Sequence, residues 1–165
     1  MYFDGSSSKE GAGAGIVLIS PRGGNVCLMY KLEFHTTNNT TKYEALVMGL
    51  RIAKDLGIQQ LAIFGDSELV VQRGKNVYQV KKQLLKVYRN EVWDLMDSLF
   101  STFNISFIPR DQNQKPHSLS LAATFSKSRK ILNSDTQLKL GIGLQFLDNI
   151  KHGRVFHDDI EINKF

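Results

Sequence analysis

The stretch that decides the fold is MYFDGSSSKEGAGAGIVLISPRGGNVCLMYKLEF, residues 1–34. It contains a short strand-like run at residues 1–7 and two longer β-rich runs, GAGAGIVLIS and NVCLMYKLEF. The two longer runs are joined by PRGG, a turn sequence that favours a hairpin. Asp4 lies in the first run, which leads into the polar turn DGSSS. The pattern predicts three antiparallel strands, with a carboxylate on the first.

Helical and strand-like patterns then alternate. TTNNTT, residues 36–41, offers N-caps for an amphipathic helix that ends near Gly57. The apolar stripe of that helix consists of Tyr43, Leu46, Val47, Leu50 and Ala53. LAIF predicts a buried strand and ISFIP a fifth strand, so the whole pattern predicts a mixed α/β sheet. Between these two strands we expect a short helix that begins at DSELVVQ and a long helix over residues 80–101. After the fifth strand we expect a last helix, which Asn113 caps and which runs to about Phe125.

Length and composition bound the class of protein. A chain of 165 residues with 42% hydrophobic residues predicts one globular domain, with room for a tail. It contains no apolar run of the ~20 residues that span a bilayer, so we expect no membrane partner. The absence of a basic-plus-apolar leader and the single Cys27, interpreted as a buried inert thiol, predict an intracellular, non-secreted protein. The net charge of +5 suits a polyanionic partner.

A second acidic residue, Asp66, follows LAIFG. A family pattern lies earlier in the chain, at the start of the first predicted helix. Residues 37–46 read TNNTTKYEAL, which resembles the Thr-Asn-Asn-x-x-Glu-Tyr-x-Ala-Leu pattern of type 1 ribonuclease H domains, in the form found in plant gypsy-type LTR retrotransposon polyproteins. The resemblance covers residues 1–126. It implies a five-stranded sheet of order 3-2-1-4-5, with strand 2 antiparallel and helices on both faces. Asp4 and Asp66 would then lie side by side where the winding of the sheet reverses.

The resemblance also implies an activity and a cofactor. The family hydrolyses the RNA strand of RNA–DNA hybrids as an endonuclease, with two divalent metal ions, typically Mg²⁺, held by four carboxylates. Asp4 and Asp66 match two of these carboxylates and are the metal ligands that the resemblance leaves here. The other two catalytic positions carry Lys42 in place of Glu, and His117 in place of Asp within PRDQNQKPHSLS, residues 109–120.

Lys42 decides how the site is interpreted. The formal charge falls in magnitude from −4 in the family to −1 here, because Asp4 and Asp66 give −2, Lys42 gives +1 and His117 is counted as neutral. The ammonium could swing into water or bridge the two aspartates as an internal cation, and we favour the bridge. Glu44 lies about 200° around the helix from Lys42 and predicts a solvated surface carboxylate, not a replacement ligand. His117 could still bind a metal or shuttle a proton, or be an ordinary surface residue.

Nucleic-acid contacts are expected on two helices. By resemblance Asn38 and Asn39 contact the nucleic-acid backbone, and helix capping explains them equally well. Lys81, Lys82 and Lys86 could track phosphates, or could form a solvated helix face. GAGAG precedes a strand instead of joining a strand to a helix, so it lacks the context of a nucleotide-binding loop.

Two functions therefore stay open. In the first, residues 1–126 form a ribonuclease H-like domain that binds RNA–DNA hybrid or other nucleic acid as a monomer, with weak Mg²⁺ binding and weak or lost hydrolysis. In the alternative, the domain is an active metal-dependent RNA–DNA hybrid ribonuclease that uses Asp4 and Asp66 with non-standard ligands. We expect residues 127–165 to be a polyprotein connector that packs poorly on the domain or is disordered.

Overall fold

The computed structural model describes residues 1–32, 36–75, 83–99 and 101–126. The predictions for residues 127–165, for Lys81 and for Lys82 lie outside these ranges. The described elements, in chain order, are β1 (Tyr2–Ser8), β2 (Gly11–Ile19), β3 (Asn25–Leu32), α1 (Asn38–Asp55), β4 (Gln60–Gly65), α2 (Glu68–Gly74), α3 (Gln83–Leu99), β5 (Thr102–Phe107), a 3-10 turn (Arg110–Gln112) and α4 (Gln114–Phe125). No helix in the described ranges is long and apolar enough to cross a bilayer.

The strands form one mixed sheet of order β3-β2-β1-β4-β5. The β1–β2 and β2–β3 pairs are antiparallel, while β4 runs parallel to both β1 and β5. The predicted sheet order and strand directions are therefore confirmed. In register, Phe3 of β1 lies opposite Gly65 of β4. The residues that follow these two in sequence, Asp4 and Asp66, are consequently brought to the same place in the sheet.

Helix α1 packs its apolar side against the sheet. All five residues of the predicted stripe are buried, which removes the large apolar surface of this helix from water. The helix begins at an N-cap, Thr37, whose hydroxyl accepts a hydrogen bond from the Thr40 N–H at 3.3 Å. It ends where predicted, because Gly57 adopts φ +70° and its N–H donates to the Lys54 carbonyl at 2.8 Å.

Helix α4 covers the opposite face of the β1–β2–β3 half of the sheet, and glycines in β2 make this possible. A Cβ added at Gly15 would lie 2.1 Å from the Pro116 carbonyl oxygen, and one added at Gly13 would lie 2.3 Å from the Ser120 carbonyl oxygen. Only glycine permits so close an approach. The GAGAG run is thus a packing surface for α4. Cys27 of β3 is half-buried, so the prediction of a buried thiol is wrong.

Candidate functional site

The two aspartates meet as predicted. Asp4 lies within β1 and Asp66 directly follows β4, and their side chains are only 1% and 3% exposed. Two buried carboxylates side by side repel each other unless a cation lies between them. The arrangement therefore requires a positive partner.

Lys42 provides that cation. Its Nζ contacts Oδ1 of Asp4 and lies 2.5 Å from Oδ1 of Asp66, and the lysine side chain is 13% exposed. The first turn of α1 reaches this close because of Gly5 in β1, where an added Cβ would lie 2.4 Å from the carbonyl carbon of Thr41. The predicted internal bridge between Asp4 and Asp66 is confirmed.

His117 completes the surroundings of Asp4. Its Nδ1 lies 2.8 Å from Oδ2 of Asp4. An ionised carboxylate can only accept a hydrogen bond, so Nδ1 is the donor and Nε2 is left for other contacts. Its contact with a buried carboxylate makes the interpretation of His117 as an ordinary surface residue wrong.

Two polar contacts fix α4, and with it His117, against β1. The Asn113 side-chain amide donates to the Phe3 carbonyl at 3.0 Å, and the hydroxyls of Ser6 and Ser120 lie 2.7 Å apart. Asn113 stands at the N-cap position of α4, yet its side chain makes no capping hydrogen bond. The prediction is therefore right about the cap position and wrong about a capping side chain, whose amide instead holds β1 across the fold.

Arg110 also belongs to the site, although no role was predicted for it. Its Nε lies 3.7 Å from Oδ2 of Asp66, and its side chain is 66% exposed. That Oδ2 is buried and has no hydrogen-bond partner among the described residues. A sequence signal existed: Arg110 matches the Arg of the family segment Pro-Arg-x-x-Asn-x-x-Ala-Asp, which also contains the position of His117.

The donor set does not fit a pair of divalent metal ions. Oδ1 of each aspartate is bonded to Lys42, and the described residues contain no group of three His, Cys, Asp or Glu side chains that could hold a metal. Two unit charges ~4 Å apart interact by about 4 kcal/mol at an effective dielectric near 20. A divalent ion beside the Lys42 ammonium would meet about twice that repulsion.

Glu44 differs from its prediction in one respect. As predicted, it does not replace the missing ligand; its carboxylate accepts a hydrogen bond from the hydroxyl of Tyr88 on α3. It is half-buried, so the prediction of a solvated surface carboxylate is wrong. The reason is that α3 packs over this side of α1, and burial raises the pKa of Glu44.

Of the residues predicted to contact nucleic acid, one is bonded to a neighbouring strand and others are exposed to solvent. Oδ1 of Asn38 accepts from the Ser7 N–H at 2.8 Å and so ties α1 to β1. The cap of α1 is Thr37, which makes the capping explanation for Asn38 and Asn39 wrong. Asn39 and Lys86 are exposed, and their contact with nucleic acid stays a prediction.

Comparisons with known proteins agree with the fold. A family model described as "Reverse transcriptase-like" matches residues 2–123. Ribonuclease HI of Halobacterium salinarum is 31% identical over 120 residues, which are 72% of this chain and 60% of that protein. The bifunctional protein Rv2228c of Mycobacterium tuberculosis is 36% identical over 78 residues, 47% of this chain and 21% of that protein. The chain thus spans less than two thirds of the length of either relative.

Solved structures show the same fold. RNase H1 from Halobacterium salinarum superposes with a TM-score of 0.69 at 30% identity, over 74% of this chain and 93% of that one. LC11-RNase H1, solved in complex with an RNA/DNA hybrid, gives a TM-score of 0.68 at 26% identity, over 74% and 94%. With its 3-2-1-4-5 sheet and its match over residues 2–123, the chain belongs to the reverse transcriptase-like family of ribonuclease H-like domains.

Proposed function

We propose that this ribonuclease H1-like domain binds RNA–DNA hybrids and that its hydrolysis of the RNA strand is weak or lost. The observation that carries the proposal is the Lys42 ammonium bonded to both Asp4 and Asp66. In the family's chemistry these carboxylates hold the metal ions that activate water and stabilise the leaving oxygen. Here their Oδ1 atoms are bonded to an ammonium, which does not bind and activate a water molecule as a metal ion does.

Hybrid binding is supported by likeness and by charge. The similar LC11-RNase H1 was solved with an RNA/DNA hybrid. The chain carries a net charge of +5, which favours a polyanion. Asn39, which the family resemblance assigns to the nucleic-acid backbone, and Lys86, which could track phosphates, are both exposed.

The proposed domain consists of residues 1–126. Helix α4 ends at Phe125, and the family match ends at residue 123. In this proposal residues 127–165 are the connector to a further module of a retrotransposon polyprotein.

An active Mg²⁺-dependent hybrid ribonuclease is the second candidate. It is favoured by one observation: Oδ2 of Asp66 is buried with no hydrogen-bond partner among the described residues, which leaves one oxygen for a metal ion. Lysine is long and flexible, so displacement of Lys42 by nucleic acid would open the Oδ1 atoms as well.

Hybrid cleavage and hybrid binding, measured on the same proteins, separate the two candidates. The wild-type chain and the Lys42→Glu/His117→Asp variant are assayed in Mg²⁺ and in Mn²⁺, with Asp4→Asn added to each as the control. We expect the wild type to bind hybrid without appreciable cleavage, and the double variant to gain cleavage that Asp4→Asn removes. Robust Mg²⁺-dependent cleavage by the wild type, abolished by Asp4→Asn, would establish the second candidate.

A further inference from the structure

We propose that a phosphodiester group of the bound nucleic acid is held between the guanidinium of Arg110 and the ammonium of Lys42, with no metal ion between protein and phosphate. This inference rests on the proposed function, because it names the contact through which the inactive site itself would take part in binding. Three features of the site carry it: the free donors of Arg110, the third N–H of Lys42, and the order in which charges are exposed.

Arg110 offers unused donors at the mouth of the site. Its Nε is 3.7 Å from Oδ2 of Asp66, which is an ion pair but too long for a hydrogen bond. Among the described residues no side-chain or backbone oxygen accepts from its guanidinium. A guanidinium has five N–H donors in a planar fork that matches two phosphate oxygens. With the side chain 66% exposed, that fork is accessible to a ligand.

Lys42 has one donor left over. Its ammonium carries three N–H groups, and two of them are directed at Oδ1 of Asp4 and Oδ1 of Asp66. The side chain is buried except for 13% of its surface. A phosphate oxygen that reaches the third N–H would complete the hydrogen bonding of the ammonium without disturbing the two ion pairs.

The charges are layered so that a phosphate meets cations first. Asp4 and Asp66 together give −2, and Lys42 and Arg110 together give +2, so the formal charge of the four is zero with His117 neutral. The negative members are 1% and 3% exposed, whereas the positive members are 13% and 66% exposed. By resemblance, the four-carboxylate site of the family repels phosphate unless metal ions are bound. This site needs no such ions to attract it.

The test is anisotropy of a short fluorescein-labelled RNA–DNA hybrid, titrated with the full chain in EDTA and in Mg²⁺ over a series of salt concentrations. The variants are Arg110→Ala and Arg110→Lys, and Arg22→Ala is the matched control, because Arg22 is an exposed arginine in the β2–β3 turn. We expect the wild-type chain to bind hybrid in EDTA at least as tightly as in Mg²⁺, because Mg²⁺ competes with the protein's cations for phosphates. Arg110→Ala should weaken binding about tenfold and reduce the salt slope by about one. Arg110→Lys should lose part of the affinity, since a lysine cannot bind a phosphate through two parallel N–H bonds.

Each remaining outcome has a defined meaning. Hybrid binding that requires Mg²⁺, or an Arg110→Ala titration that coincides with that of Arg22→Ala, overturns this inference and leaves the proposed hybrid binding intact. A wild-type chain that binds no hybrid in either buffer overturns the proposed function and this inference with it. Thermal melts of all variants verify that the comparison is made between folded proteins.

Discussion

Nδ1 of His117 lies 2.8 Å from Oδ2 of Asp4, although the two residues are 113 positions apart in sequence. Lys42 contacts the other oxygen of the same carboxylate. Positions 42 and 117, the two that carry a carboxylate in the family but not here, therefore both supply a hydrogen-bond donor to Asp4. The two substitutions support each other: together they satisfy both oxygens of a buried aspartate without a metal ion.

Reversing the charge at position 42 should restore more cleavage than reversing the change at position 117. Lys42→Glu shifts the formal charge of the site by two units, from −1 to −3, whereas His117→Asp shifts it by one, to −2. Metal affinity follows this charge, and each 1.4 kcal/mol is about a factor of ten. Single-turnover cleavage of an RNA–DNA hybrid in Mg²⁺ measures the difference. A faster rate for His117→Asp would show that the ligand's position matters more than charge.

Removing the internal cation should destabilise the fold strongly. Lys42→Met leaves Asp4 and Asp66 buried beside each other without a counter-ion, and breaking a buried ion pair in this way costs about 3–5 kcal/mol. Urea denaturation measures the free energy of unfolding. Lys54→Met is the matched control, since Lys54 is exposed near the end of the same helix. Equal losses in the two variants would mean that Lys42 contributes nothing beyond a surface charge.

Gly15→Ala should lower the free energy of unfolding by about 1–3 kcal/mol, the usual cost of overpacking. The added methyl group would lie 2.1 Å from the Pro116 carbonyl oxygen, so the α4 backbone has to move. Because α4 carries His117, the Nδ1–Asp4 contact should be disturbed as well. Urea denaturation gives the first effect, and the chemical shifts of the His117 ring give the second. An unchanged unfolding midpoint would show that α4 can shift away from β2 at no cost.

The α1–α3 contact predicts a pH dependence of stability. Burial raises the pKa of Glu44 above its ordinary value of 4.5, despite the hydrogen bond from Tyr88, and Glu91 and Arg51 face the same carboxylate with opposite effects. Between the two pKa values the folded state holds a proton that the unfolded state has lost, so stability falls as the pH rises above 4.5 through the folded pKa.

Glu44→Gln should reduce this fall, since the amide does not titrate and still accepts a hydrogen bond from Tyr88. Melting temperatures across this pH range measure it, with Asp55→Asn, an exposed carboxyl at the end of the same helix, as the control. If the two variants respond to pH in the same way, burial of Glu44 is not the cause.

Local patterns were sufficient to predict most of the fold. The PRGG turn pairs β2 with β3, and the stripe of α1 has the spacing that buries one helix face. Strand order came from the family resemblance, and it brought Asp4 to Asp66. The resemblance placed position 42 beside the two aspartates. The Lys42 bridge then followed from charge, because two adjacent buried aspartates require a cation.

Contacts set by tertiary packing could not be predicted in this way. Arg110 reaches Asp66 through the short turn between β5 and α4, and no spacing in the sequence determines where that turn directs its side chains. Glu44 is predicted as solvated from its position on α1, but the partner that buries it, Tyr88, is 44 residues away. Asn113 has the sequence context of a helix cap, and its amide instead donates to Phe3, 110 residues earlier.

The placement of α4 over the glycines of β2 has a consequence for the order of folding. Helix α4 is the last described element of the chain, and it packs on β1, β2 and β3, the first three described elements. During synthesis on a ribosome, the hairpin face containing Gly13 and Gly15 therefore waits uncovered until residues 114–125 have emerged. Such long-range closure is slow compared with local helix and hairpin formation. A nascent chain halted before α4 would contain Asp4 and Lys42 but lack the His117 contact. The electrostatic environment of Asp4 is therefore complete only after α4 has been synthesised and has packed on the sheet.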